Sequence, residues 1–192
     1  MRKLSLILLA TVMVAFTGCD LLKDTIKDAI TIDVPINPEP IVFNLPQLIP
    51  PLQTKAGELQ GAETILYETD LNLEVAKNAL STGYTLDHLR SLKLKSAKLK
   101  VLEPDSYNMD DLKTVKLYVG DPKTDQPIAV AGTIEGRVLN IVVNDQDLLA
   151  KLIDQDLIHI ALTGETLPET NDVKVELTLE FTANISAFPK SK

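Results

Sequence analysis

Between positions 173 and 183 every second residue is apolar. Val173, Val175, Leu177, Leu179, Phe181 and Ala183 alternate with Lys174, Glu176, Thr178, Glu180 and Thr182. Side chains on a strand point to opposite faces in turn, so this pattern describes a strand with one buried and one solvated face. It excludes a helix, whose apolar positions recur every three to four residues. The same two-residue period, less strictly kept, runs through the rest of the chain. Over residues 63–73, Ile65, Tyr67, Thr69, Leu71 and Leu73 face inward, while Leu66 interrupts the polar side. Leu92 and Leu94 are followed by Ala97, Leu99 and Val101, so the period slips by one at Ser96. Either a bulge inside one strand or a bend between two shorter strands accounts for the slip.

Val115, Leu117 and Val119 point one way, with Thr114, Lys116 and Tyr118 opposite, and the strand stops at Gly120. Residues 121–126 are turn chemistry, and Ile128, Val130 and Ile134 restart the alternation. Glu135-Gly136 divides this run from residues 138–143, which is a hairpin signal and makes a three-strand meander. Residues 157–163 form a further strand, with Ile158, Ile160 and Leu162 inward and His159 outward. Connectors are short. Residues 74–80 suit a brief helix ended by Gly83, and Thr85 can cap a turn through His88. Asn144 or Asp145 can cap a helix whose apolar side is Leu148, Leu149, Leu152 and Ile153, with Asp147 and Lys151 spaced as a pair. About seven strands without βαβ alternation predict an all-β fold. The expected form is an antiparallel β-sandwich of immunoglobulin-like layout with one or two short connecting helices.

Export chemistry precedes this body. Arg2 and Lys3 lead an apolar run over residues 4–16, and Thr17-Gly18-Cys19-Asp20 follows. A basic start, an apolar core and small residues form a secretory signal, and the run is shorter than the roughly 20 residues that cross a bilayer. Phe16-Thr17-Gly18-Cys19 resembles the lipobox of bacterial lipoproteins, with Phe16 where Leu is usual. The resemblance implies cleavage before Cys19, acylation of its thiol and attachment to a membrane by several acyl chains. It implies the bacterial cell envelope, at the outer membrane or cell surface rather than the inner membrane, although Asp20 resembles the inner-membrane retention signal of enterobacteria. Cys19 is the only cysteine, so the chain has no intrachain disulfide and must stand on its core.

The expected organisation is a signal peptide over 1–18, a lipidated tether and Pro-rich arm over 19–61, a β-sandwich over 62–187 and a tail over 188–192. Residues 20–30 mix Leu21, Leu22 and Ile26 with alternating charges, as a tether does. Asp24-Thr25-Ile26 within it resembles the short O-glycosylation motif of exported Bacteroidetes proteins. Six of the eleven prolines lie between Pro35 and Pro51. Proline lacks the amide donor a central strand needs, yet Val34, Ile36, Ile41, Phe43 and Leu45 are too apolar for a solvated linker. These residues predict an extended arm packed along an edge of the domain. The order of elements over 62–187 resembles the sandwich lipoproteins of Bacteroidetes, a group without an assigned activity to carry over.

Charge and composition narrow the function. The formal charge of −8 becomes −10 once Arg2 and Lys3 leave with the signal, and such a surface repels nucleic acid and anionic lipid. His88 and His159 are the only histidines, and no GxSxG turn marks a nucleophile. Two separated histidines are poor material for zinc. Asp145-Gln146-Asp147, Asp154-Gln155-Asp156, and Asp121 with Asp125 could supply oxygen ligands to calcium. A helix cap, a helix exit and a turn explain them more simply. No catalytic residue, metal or cofactor is expected, and the one assigned site is lipidation at Cys19. The expected function is a monomeric, membrane-anchored, non-enzymatic interaction or structural domain. The alternatives are a carbohydrate-binding envelope lipoprotein, opposed by the lack of Trp, and a pilus-like subunit that exchanges its Pro-rich arm.

Overall fold

Nine strands are resolved in this computed structural model, which describes residues 31–45, 64–74, 86–112, 114–152, 157–164 and 173–187. They are β1 (Thr31–Ile36), β2 (Ile41–Asn44), β3 (Thr64–Asn72), β4 (Leu89–Glu103), β5 (Lys116–Val119), β6 (Ala129–Glu135), β7 (Val138–Val143), β8 (Leu157–Gly164) and β9 (Lys174–Ser186). All belong to one antiparallel sheet of order β1-β9-β4-β7-β6-β5-β8-β3, with β2 also on β9.

The strand with the strictest alternation is the one most fully enclosed. Val175, Leu177, Leu179, Phe181 and Ala183 are all buried, and the pattern runs on to Ile185. One edge of β9 pairs with β4 from Leu89 to Glu103. The other edge receives β1, from Thr31 opposite Ser186 to Ile36 opposite Phe181, and then β2, from Ile41 opposite Leu177 to Asn44 opposite Lys174. The described part of the Pro-rich arm, residues 31–45, therefore lies along a sheet edge within its own chain. Pro38 and Pro40 fall in the break between β1 and β2, where an amide-free residue costs the ladder nothing.

The slip at Ser96 is a bulge inside one strand. The register of β4 against β9 shifts between Leu94 and Ser96, and again between Leu89 and Ser91 and between Val101 and Glu103. Bulges bend a strand and increase its twist. β4 thus hydrogen-bonds β9 along its length while its residues 97–100 also pair with β7 on the opposite edge. The expected all-β, antiparallel fold is present, as a curled half-barrel of one continuous sheet. The meander of β5, β6 and β7 is present, with Gly136 at φ 62 in its hairpin turn.

A bulge also corrects the reading of β3. Its register against β8 shifts between Ile65 and Tyr67, which turns Leu66 into the core at 4% exposure and leaves Ile65 out at 41%. Leu66 is thus a core residue rather than a break in the polar face. Gly164 on β8 makes room for it, because a Cβ there would lie 2.9 Å from Leu66 Cδ1.

The expected connecting helices are absent from the described residues, where only 3-10 turns occur, at Leu86–His88, Met109–Leu112 and Leu149–Lys151. Residues 75–80 lie outside the described residues. After β7 the backbone turns to β4 instead of into a helix: the Leu148 amide donates to the Leu92 carbonyl at 2.7 Å. The crossing before β5 is less polar inside than its sequence, since Tyr107, Met109 and Leu112 are buried.

Candidate functional site

Of the residues singled out in the sequence, Cys19 and the 154–156 cluster lie outside the described residues. Asp147, not Asn144 or Asp145, accepts from the backbone amide at the start of the 149–151 turn, from just before its N-cap Leu148. Its Oδ1 accepts from the amides of Leu149 and Leu92, each at 3.0 Å, so it closes the turn and ties it to β4. Asn144 donates its side-chain amide to the Pro127 carbonyl at 2.9 Å. Asp145 pairs with Lys93 at 2.7 Å, and this hydrogen bond raises the Lys93 pKa above the usual lysine value. Lys151 pairs with Asp125 across the 121–125 turn, not with Asp147. That contact holds the Asp125 carboxyl below the usual carboxylate range. Asp125 Oδ2 also accepts from the Asp121 amide at 2.9 Å, and Asp121 Oδ1 from the Lys123 amide at 2.9 Å. These acids are engaged in fastening turns, and among the described residues no group of three or more His, Cys, Asp or Glu side chains is arranged to hold a metal ion.

His159 faces outward on β8 and its Nδ1 lies 2.8 Å from Asp70 Oδ1, directly across on β3. A histidine oriented by a carboxylate is two-thirds of a nucleophile-activating triad. No serine occurs on β3, β8 or on β5, the other neighbour of β8. The pair joins two strands.

A concave feature of the described surface lies where the two ends of the curled sheet approach each other. A cleft of about 630 Å³ opens between the β1–β2 connection and the end of β3. Pro35, Ile36, Asn37, Pro38 and Glu39 form one wall, and Leu71, Asn72, Leu73 and Glu74 the other. Each wall follows from its sequence. The prolines interrupt pairing with β9, so residues 37–40 arch away from the ladder instead of continuing it. At the opposite wall Asn72 Oδ1 accepts from the Glu74 amide at 2.8 Å, a side-chain turn that ends β3. Glu74 sits there at φ 48, a conformation costly to a residue with a Cβ.

Ile36 and Leu73, each 2% exposed, form the apolar floor, while Asn37, Glu39, Asn72 and Glu74 are exposed at the rim. Among the described residues the lining carries two carboxylates and two amides and no cationic side chain. The Phe43 ring of β2 stacks on Tyr67 of β3, with centroids 4.2 Å apart and planes 18° from parallel. That stack holds the walls together without backbone pairing between β2 and β3. Sequence reading missed this site because its walls lie more than thirty positions apart, and each alone reads as ordinary loop chemistry. The available signal was a Pro-interrupted apolar arm carrying Asn and Glu at its break.

Comparison of the chain with protein-family models, with curated proteins and with solved structures yields no match. No helix of the described residues is long and apolar enough to cross a membrane.

Proposed function

We propose that the chain is an exported lipoprotein of the bacterial cell envelope, held at a membrane by acyl chains on Cys19 and presenting a non-enzymatic interaction or structural domain. The observation that carries this reading is Phe16-Thr17-Gly18-Cys19, placed behind a basic start and an apolar run too short to span a bilayer. Residues 20–30 separate Cys19 from β1, a reach of at most about 40 Å when fully extended. The domain therefore works close to its membrane, at the outer membrane or cell surface. Several acyl chains on one residue give the lasting attachment that a single chain does not.

The arm's pairing with β9 of its own chain supports a monomer over the pilus-like subunit, because the edge an exchanged strand would fill is already occupied. A carbohydrate-binding role ranks behind a protein-interaction or structural role, since the sequence holds no Trp for a sugar ring to stack on. The immunoglobulin-like sandwich remains part of this proposal, and the stacking of Phe43 of β2 on Tyr67 of β3 supports it.

The test is metabolic labelling with a fatty acid in the native host. The wild-type chain is expected to incorporate label and to be processed, while Cys19→Ser stays unprocessed and unlabelled. Equal labelling of the two would remove the lipoprotein reading.

A further inference from the structure

We infer that the outer face of β4, with the neighbouring part of β7, docks onto a surface of anionic lipid headgroups. The chain holds 27 Asp and Glu, yet residues 89–102 hold none, and Lys93, Lys95, Lys98 and Lys100 all lie there. Strict alternation would divide these lysines: counted from buried Leu92 and Leu94, it turns Lys98 and Lys100 into the core. The bulge prevents this. Leu94 pairs with Phe181 and Ser96 with Glu180, so Lys95 is the inserted residue, and beyond it Ala97, Leu99 and Val101 take the buried side. Lys95, Lys98 and Lys100 are all exposed. One shift of register thus gathers on one face cations that the two-residue period would have split.

Lys93, Arg137 and Lys151 each pair with an aspartate. Among the described residues no acid pairs with Lys95, Lys98 or Lys100, although Glu176 stands directly across from Lys100. Lys98 and Lys100 sit about 7 Å apart along the strand, and an anionic surface that covers both relieves their mutual repulsion. On the other edge Lys98 faces Asn140 and Lys100 faces Val138, and Val142, on the same side as these, is 57% exposed. Lysines beside exposed valine suit the headgroup boundary, where cations meet phosphates and apolar side chains meet the acyl edge.

The choice of a lipid surface rests on the tethered reading proposed above, because Cys19 would hold the domain beside headgroups at high effective concentration. The net charge of −8 opposes approach of the whole molecule from solution. A tether removes that step, and charges more than about 8 Å away are largely screened at physiological ionic strength. Glu176 and Glu180 on β9 and Glu135 on β6 border the face, so the contact centres between β4 and β7.

The experiment carries the full chain, wild type and Cys19→Ser, in nanodiscs of phosphatidylcholine alone or in equal parts with phosphatidylglycerol, each doped with a gadolinium-chelating lipid. Cys19→Ser keeps its apolar leader and stays in the disc, so a failure of acylation, read by fatty-acid label, is separate from a failure of docking. Relaxation enhancement of backbone amides is expected to centre on residues 95–100 and 138–142 in the anionic discs, to weaken with added salt and to be small with phosphatidylcholine alone. Lys98→Gln with Lys100→Gln, exposed changes whose own spectrum reports folding, is expected to lower the ratio of docked to undocked chain on the order of tenfold. The inference is overturned by an absence of enhancement, by enhancement centred elsewhere, by equal enhancement in the two kinds of disc, or by an unchanged pattern in the lysine variant. Saturable shifts at these residues with soluble polyglutamate, without enhancement in the anionic discs, would assign the face to an acidic protein and overturn it as well.

Discussion

β9 and β3 are both strands with alternating sequences, but they occupy opposite situations in the sheet. β9 has neighbours on both edges, β4 on one and the arm on the other, and its alternation is kept from Val173 to Ile185. β3 ends the strand order, with β8 as its one partner there, and it carries a bulge that exchanges the faces of Ile65 and Leu66. Register shifts are not confined to the rim: β4, paired with both β9 and β7, carries three against β9, whereas β9 itself keeps its alternation. The shift in β3 is the one that changes which side chain enters the core, and the end of β3 lines the cleft.

That contrast has measurable consequences. Leu99 is fully buried on β4, in register with Leu177 of β9 and Leu139 of β7. Leu99→Ala should lower the unfolding free energy by about 2–5 kcal/mol in urea titrations, as large-to-small changes in tight cores do. A loss below about 1 kcal/mol would mean that this junction is not the core's tightest part. At the rim, Leu66→Ala should cost about 2–3 kcal/mol, whereas Ile65→Ala should stay within about 0.5 kcal/mol, as exposed substitutions generally do. Strict alternation through β3 requires the reverse ranking, so the pair of variants tests the bulge directly.

Smaller effects belong to the turns. Asp147→Ala should cost about 0.5–2 kcal/mol, the usual loss of a capping carboxylate, because the amides of Leu92 and Leu149 both lose their acceptor. Asp145→Ala should cost less, since Lys93 is already exposed to solvent. Equal losses would restore the expectation that Asp145 is the cap. The weakest effect is expected at Asp125, whose carboxyl is held below its ordinary range by Lys151. A depressed carboxylate pKa stabilises the fold above the unfolded value, about 3.9 for Asp, and that contribution fades as pH falls through the lower folded value. The stability gap between wild type and Asp125→Asn should be constant from neutral pH to about 5 and close on further acidification. A gap that instead widens in acid would contradict the pairing with Lys151.

Residues whose environment is set by near neighbours were legible in the sequence. The faces of β9, the slip at Ser96 and the turn at Gly136 each follow from a few adjacent side chains. Leu66 was not legible as a core residue, because the signal that turns it inward is Gly164, almost a hundred positions away on β8. Residues 144–153 carry apolar spacing that suits a helix, yet the amide of Leu148 and the carboxylate of Asp147 are claimed by Leu92 of β4. The prolines of the arm disclosed that it must lie at an edge; they did not disclose that the edge is that of β9. A curled sheet and a two-layer sandwich bury the same alternating faces. The pairing of β4 with both β9 and β7 curls the sheet, and pairing leaves no local mark in sequence. The cleft was hidden for the same reason, since residues 35–39 and 71–74 come to line one cleft only through the pairing of the whole sheet.

The central claim is that the Pro-rich arm completes the sheet of its own chain, with Ile36, Phe43 and Leu45 buried against it. Light scattering and sedimentation of two soluble proteins, one lacking residues 1–19 and the other residues 1–50, test this most directly. The first should be a monomer at all concentrations, and the second, with the edge of β9 exposed, should be less stable or aggregate. If the first instead forms concentration-dependent oligomers that loss of the arm converts into stable monomers, the arm serves another molecule and the account is wrong.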